Sequence, residues 1–174
     1  MSEPVSAVAA DLLASEARNL HAIQKNAKAM MLRVIDRLDH YPEAKARLEA
    51  HLTDKDDEMR LLEQVLDRAG EKTSDAKDAT MGAMGQMTGL LTSALEDDVV
   101  KTSMATFGLA SYEVAAYEGM IVLARKAGRE DAVPQIEQCL SKEKAMAEWL
   151  HSHMAPTLEK YLDLRSKMGK SAAH

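Results

Sequence analysis

The segment HAIQKNAKAMML (residues 21–32) is answered further along the chain by ASYEVAAYEGMI (residues 110–121), with Gln24 aligned on Glu113, Met31 on Met120 and Leu32 on Ile121. The offset is 89 positions, and the same offset carries Asp54 onto Glu143. Within each half the polar pair lies 30 residues apart. Two copies of one helical hairpin, each presenting polar side chains at matching heights, are the expected result. Metal sites inside four-helix bundles are built in this way, from inward-facing side chains on facing helices.

Working outward, apolar residues recur at helical spacing in Val5, Val8, Leu12, Leu20, Ile23, Ala27, Met31, Val34 and Leu38, which predicts one long amphipathic helix to about Asp39. His40-Tyr41-Pro42 ends it, and Pro42 suits the first turn of a second helix because its missing N–H would have no intrahelical partner there. That helix carries Leu48, Leu52, Met59, Leu62 and Leu66 and stops at Gly70. A third runs from about Asp97 to Gly128. A fourth starts near Asp131 with Pro134 in its first turn and Val133, Ile136, Leu140, Ala147 and Leu150 along its seam. Pro156 is expected to interrupt it, leaving a short C-terminal helix through Leu158, Tyr161 and Leu164 and a flexible tail over 165–174. Residues 71–96 are expected to form a largely helical crossover along the bundle, with Met81, Met84, Met87, Leu91 and Leu95 three or four apart. The fold class is therefore all-α: a single domain over 1–174, an antiparallel ferritin-like four-helix bundle with a long crossover between helices 2 and 3.

Composition narrows the function. The net charge of −6 and an aromatic content of 3% argue against nucleic acid, which calls for a basic face and stacking platforms. The apolar stretch from Val5 to Ala14 is broken by Asp11 and is far short of a membrane span, so neither a signal peptide nor a transmembrane helix is expected. The only cysteine, Cys139, leaves no intramolecular disulfide to form, and with no activating His nearby in sequence it is expected to be a small buried residue with an unreactive thiol. A cytoplasmic protein is the simplest expectation. The Met81, Met84, Met87 run offers soft sulfur to Cu(I), but methionine at helical spacing serves more often as adaptable core filling. The Gly169-Lys170-Ser171 triplet lacks the earlier glycine and the preceding strand of a phosphate-binding loop.

A di-metal centre in such a bundle takes a Glu from each of two helices and Glu-x-x-His from each of the other two. Against that requirement the first helix offers Gln24, with Glu16 about two turns away, the second His51, Asp54, Asp57 and Glu58, the third Glu113 and the fourth Glu143, with Met146 where a His would be wanted. Three carboxylates remain at matching positions, fewer than two metals demand. A single metal held by Asp54, Glu113 and Glu143 with Gln24 or His51 is one outcome. The other is a polar relic without metal, in which at least one carboxyl is protonated or bridged to a base, since clustered carboxylates repel.

HYPEAKARLEAHLTD (40–54), SYEVAAY (111–117) and KEKAMAEWL (142–150), in this order and spacing, resemble the ferritin-like proteins of the YciE/YciF type. The resemblance covers about His21 to Leu150. It implies a ferritin-like bundle, often dimeric, linked to stress responses. Members carry a Glu where this chain has Gln24, a Glu-rich HLEET-like segment where it has HLTDK, an E-H-Y-E-like turn where it has Ala110 to Glu113, and paired acids where it has Lys142-Glu143. These departures point to a stress-associated homodimer with a degenerate metal site, no required cofactor and an unidentified protein partner, acting through its surface. The alternative is an iron- or manganese-dependent oxidase or peroxide-consuming enzyme.

Overall fold

The computed structural model describes residues 3–70 and 99–168, and every described element is helical. Four helices follow one another: α1 (Val5–Ile35), α2 (Pro42–Arg68), α3 (Val99–Lys126) and α4 (Val133–Met168). The expected crossover over 71–96, with its methionines, and the end of the expected tail lie outside the described residues.

Sequence punctuation sets the boundaries. Pro42 occupies the first turn of α2, with Tyr41 as its N-cap. Gly128 takes φ of +73°, a left-handed conformation that costs a side-chain-free residue nothing, and Arg129 N–H then reaches back to the carbonyl of Ala124 at 2.8 Å. Gly70 closes α2 with φ of +74°.

Cross-helix polar pairs fix the directions. His21 meets Glu63 and Lys28 meets Asp56, so α1 and α2 run antiparallel. Arg125 meets Glu137 across α3 and α4, and Arg68 at the end of α2 meets Asp131 just before α4. The apolar core falls into two clusters. One joins Leu13, Ala17 and Leu20 of α1 to Leu62 and Leu66 of α2, Tyr117 and Met120 of α3, and Ile136 of α4. The other joins Ile23, Met31 and Val34 to Leu48, Leu109, Met146 and Leu150. Burying each large side chain contributes about 1.5–3 kcal/mol before entropy is counted, so both halves hold the bundle firmly. His51, Lys55, Glu58, Glu113 and Glu143, all buried, come from the stretches of α2–α4 that lie between these clusters, and buried Gln24 of α1 sits at the edge of the second, next to Ile23.

Two expectations are corrected. Val5, Val8 and Leu12 face solvent, and Ala9, Leu13 and Ala17 form the buried line instead. Also, α4 continues through Pro156 to Met168, so the separate C-terminal helix is the last part of α4 and Arg165 to Met168 are helical. Proline at this position lacks the N–H that would bond the carbonyl of Ser152, a residue that lies exposed to solvent. Beyond the proline, Tyr161 and Leu164 pack on the core and the Lys160 ammonium lies 5.1 Å from the Tyr41 ring centroid, so tertiary contacts carry the helix onward. Among the described residues no helix is long and apolar enough to cross a membrane.

Candidate functional site

The seam of α2 reads Leu48, His51, Lys55, Glu58, Leu62, alternating steps of three and four that keep one line facing the core. This spacing drives the longest cationic side chain of the seam into the bundle centre. Lys55 is fully buried, and its Nζ donates to Glu143 Oε1 at 2.5 Å, Glu113 Oε2 at 2.6 Å and Glu58 Oε2 at 3.1 Å. An ammonium has three N–H donors, and each finds a carboxyl on a different helix or turn. Gln24 completes the layer by donating through Nε2 to Glu58 Oε2 and to the Tyr117 hydroxyl, both at 2.7 Å.

The electrostatics follow from burial. Loss of water pushes the Glu58 and Glu113 carboxyls up, to about 9 and about 8, against the opposing pull of Lys55 and with added repulsion from Glu143. Burial would raise Glu143 too, but the Lys55 ammonium and the hydrogen bonds it receives hold it below the ordinary value. Burial alone would strip the proton from Lys55; the three surrounding carboxyls outweigh it and keep the amine charged. At neutral pH the centre is therefore one Lys55–Glu143 ion pair flanked by two carboxylic acids, with no net charge. One oxygen on each of Glu58, Glu113 and Glu143, and Gln24 Oε1, has no partner when only heavy-atom donors are counted. The carboxylic-acid protons of Glu58 and Glu113, both in hydrogen-bonding contact with Glu143, answer part of that deficit.

His51 is buried beside this group, its Nε2 3.5 Å from Glu143 Oε1, and desolvation lowers it to about 4, so it is a neutral imidazole. Asp54 stands apart. Its carboxylate pairs with Lys142 at 2.8 Å at the partly exposed rim and lies 3.8 Å from His51 Nδ1. Of the five residues singled out from sequence, the fold gathers Gln24, His51, Glu113 and Glu143 and leaves Asp54 outside, its place taken by Lys55 and Glu58. Cys139 is buried near Tyr117, and burial pushes its thiol up to about 12, which keeps it protonated and unreactive.

These residues do not fit a metal pair. Where the two-metal pattern wants Glu, Glu-x-x-His, Glu and Glu-x-x-His, the four helices supply Gln24, Lys55-x-x-Glu58, Glu113 and Glu143-x-x-Met146. The ammonium stands where the carboxyls converge. Among the described residues no group of three or more His, Cys, Asp or Glu side chains is disposed to hold a metal ion.

Comparison with known proteins agrees with the architecture. Residues 8–163 match the model of a family described as a domain of unknown function, DUF892. A crystal structure of a protein from Xanthomonas campestris superposes with a TM-score of 0.74 at 25% identity, covering 91% of this chain and 98% of that one.

Proposed function

Because the chain belongs to the DUF892 family, whose activity its description leaves open, we propose that it is a ferritin-like, stress-associated cytoplasmic bundle protein that carries out no metal-centred chemistry and acts through its outer surface as a homodimer. The observation that carries this reading is the Lys55 ammonium, hydrogen-bonded to Glu58, Glu113 and Glu143 where metals would lie in a di-metal bundle. A charged amine there repels a second cation and already uses one oxygen of each carboxyl. The polar layer then works as a lock on register: sliding α2 or α4 leaves a buried charge unpaired, and sliding α1 or α3 strips Gln24 or Glu113 of its hydrogen-bond partner. The link to stress rests on the sequence likeness to YciE/YciF-type proteins.

Self-association is supported by apolar residues left exposed on α1 and α3, with Val5, Val8 and Leu12 on the first and Met104, Tyr112 and Val122 on the second. Two measurements test the proposal. Protein purified without chelators is expected to carry well under one equivalent of iron or manganese and to consume no peroxide or oxygen after iron loading; two tightly held equivalents per chain would overturn it. Light scattering on a sizing column is expected to give twice the chain mass.

A further inference from the structure

We infer that the outer face of α3, with the start of α1 beside it, seats a second copy of this chain, packed about a two-fold axis at the level of Glu113 with the two α3 helices antiparallel. This rests on the homodimer reading and adds the surface and the register. Between Lys101 and Arg125 the only charged residue exposed on α3 is Glu118, and it turns aside to Lys144 of α4 at 2.7 Å. A helix that is apolar or small around its whole circumference is ordinarily covered on every side. Yet Met104 and Val122 of α3 are more than half exposed. The α2/α4 side of the bundle, by contrast, carries Asp57, Arg60 and Lys142 and suits water as it stands. Loss of charge from one exposed face is the mark of the centre of a protein interface.

The pattern along that face selects a second copy as its occupant. Met104, Gly108, Ser111, Ala115, Gly119 and Val122 follow one another at steps of three or four and so lie along one line of α3. Their order, large, glycine, small, small, glycine, large, reads the same from either end. The pairs 104/122, 108/119 and 111/115 have midpoints of 113, 113.5 and 113. A two-fold interface requires such self-complementarity, because wherever residue i meets residue j, j must also meet i. A Cβ added at Gly108 or Gly119 would meet nothing within 4 Å, so a facing helix has room to come close. The face is also large enough. Helices of 31 and 28 residues are about 42–46 Å long and together about 20 Å wide, on the order of 800–900 Å², against about 800 Å² that each partner buries in a stable complex. Val5, Val8 and Leu12, exposed on α1, extend the face at one end, since Leu13 and Ala14 share a core cluster with Ile121 and Ala124 at the end of α3.

The test uses the full chain. Ala115 is exposed and Gly119 has open space around it, so Ala115→Arg and Gly119→Lys are expected to keep the helical circular dichroism of the natural protein while setting like charges close to the axis. Light scattering on a sizing column is expected to give twice the chain mass for the natural protein and half of that for either variant. Ser141→Arg, on an exposed position of α4, is expected to leave the mass at twice the chain. The register is read with Gly108→Cys and Gly119→Cys, because Cys139 is buried and stays out of the reaction. The two variants, mixed, left to exchange subunits and treated with a short bismaleimide, are expected to give covalent pairs that neither gives alone. Variants that keep twice the chain mass, a Ser141→Arg that also dissociates, or Gly108→Cys that crosslinks alone as well as in the mixture overturns the inferred interface and leaves the homodimer reading standing. A natural protein of one chain mass overturns both and gives the face to the chain's own residues 71–98 or to a different protein.

Discussion

Replacing Lys55 with Met gives an unbranched side chain one heavy atom shorter and deletes its charge, which leaves Glu143 as a buried carboxylate with no cation beside it. Two routes remain open to Glu143 at pH 7. Staying ionised and unpaired in the interior costs about 3–5 kcal/mol. Taking a proton costs about 1.36 kcal/mol for each unit between its ordinary value of 4.5 and the ambient pH, or about 3.4 kcal/mol at pH 7. The cheaper route sets the ceiling, so the loss of stability is expected to be about 3 kcal/mol at pH 7. At pH 5 protonation costs about 0.7 kcal/mol, and the difference between variant and natural protein should shrink below 1 kcal/mol. Guanidinium unfolding followed by far-ultraviolet circular dichroism at the two pH values measures both numbers. The double variant Lys55→Met/Glu143→Gln should recover most of the loss at pH 7, because it removes both charges together. A loss under about 1 kcal/mol at pH 7, or one that is equal at both pH values, would refute the buried ion pair.

The pH dependence of the natural protein carries its own sign. Glu58 and Glu113 hold protons when folded that they release when unfolded, so their contribution is full below about 4.5 and is lost as pH rises through about 8 and 9, while that of His51 is present above 6.5 and lost as pH falls towards 4. Denaturant midpoints should therefore decline between pH 6.5 and 8, and calorimetry in buffers of different ionisation enthalpy should show proton uptake on folding. Asp54→Asn, which removes a partly exposed partner of Lys142, should cost at most about 1 kcal/mol at pH 7, whereas Glu143→Gln, which strands the Lys55 charge, should cost about 3–5 kcal/mol. Tyr117→Phe deletes the hydroxyl that accepts from Gln24 and should cost about 1–3 kcal/mol in the same unfolding assay.

Periodicity and punctuation made the bundle legible in the sequence. The turns at Pro42 and Gly128 and the two hairpins follow from residues whose local chemistry allows little else. Pro156 misleads, because Ser152, whose hydrogen-bond donor it removes, is an exposed residue while Tyr161 and Leu164 still find the core. The site was half legible. Gln24, Glu113, Glu143 and His51 were found, but the strict offset of 89 selected Asp54. In the fold the two hairpins differ by one residue: Gln24 lies 31 positions before Lys55, and Glu113 lies 30 before Glu143. On a helix one residue is a turn of about 100°, enough to exchange a rim aspartate for a central lysine. The signal was present in the spacing of Leu48, His51, Lys55, Glu58 and Leu62, but a lysine on a seam is ordinarily taken for a surface group, and only the three-dimensional gathering of Glu58, Glu113 and Glu143 reveals what it pairs with.

A crystal structure at atomic resolution, with anomalous data collected above the iron and manganese edges on protein never exposed to chelators, bears on the whole argument at once. The Lys55 Nζ should lie within hydrogen-bonding distance of carboxyl oxygens of Glu58, Glu113 and Glu143, with no anomalous peak among them. A lysine turned out to solvent, and an anomalous peak bridging the same three carboxyls, would overturn it.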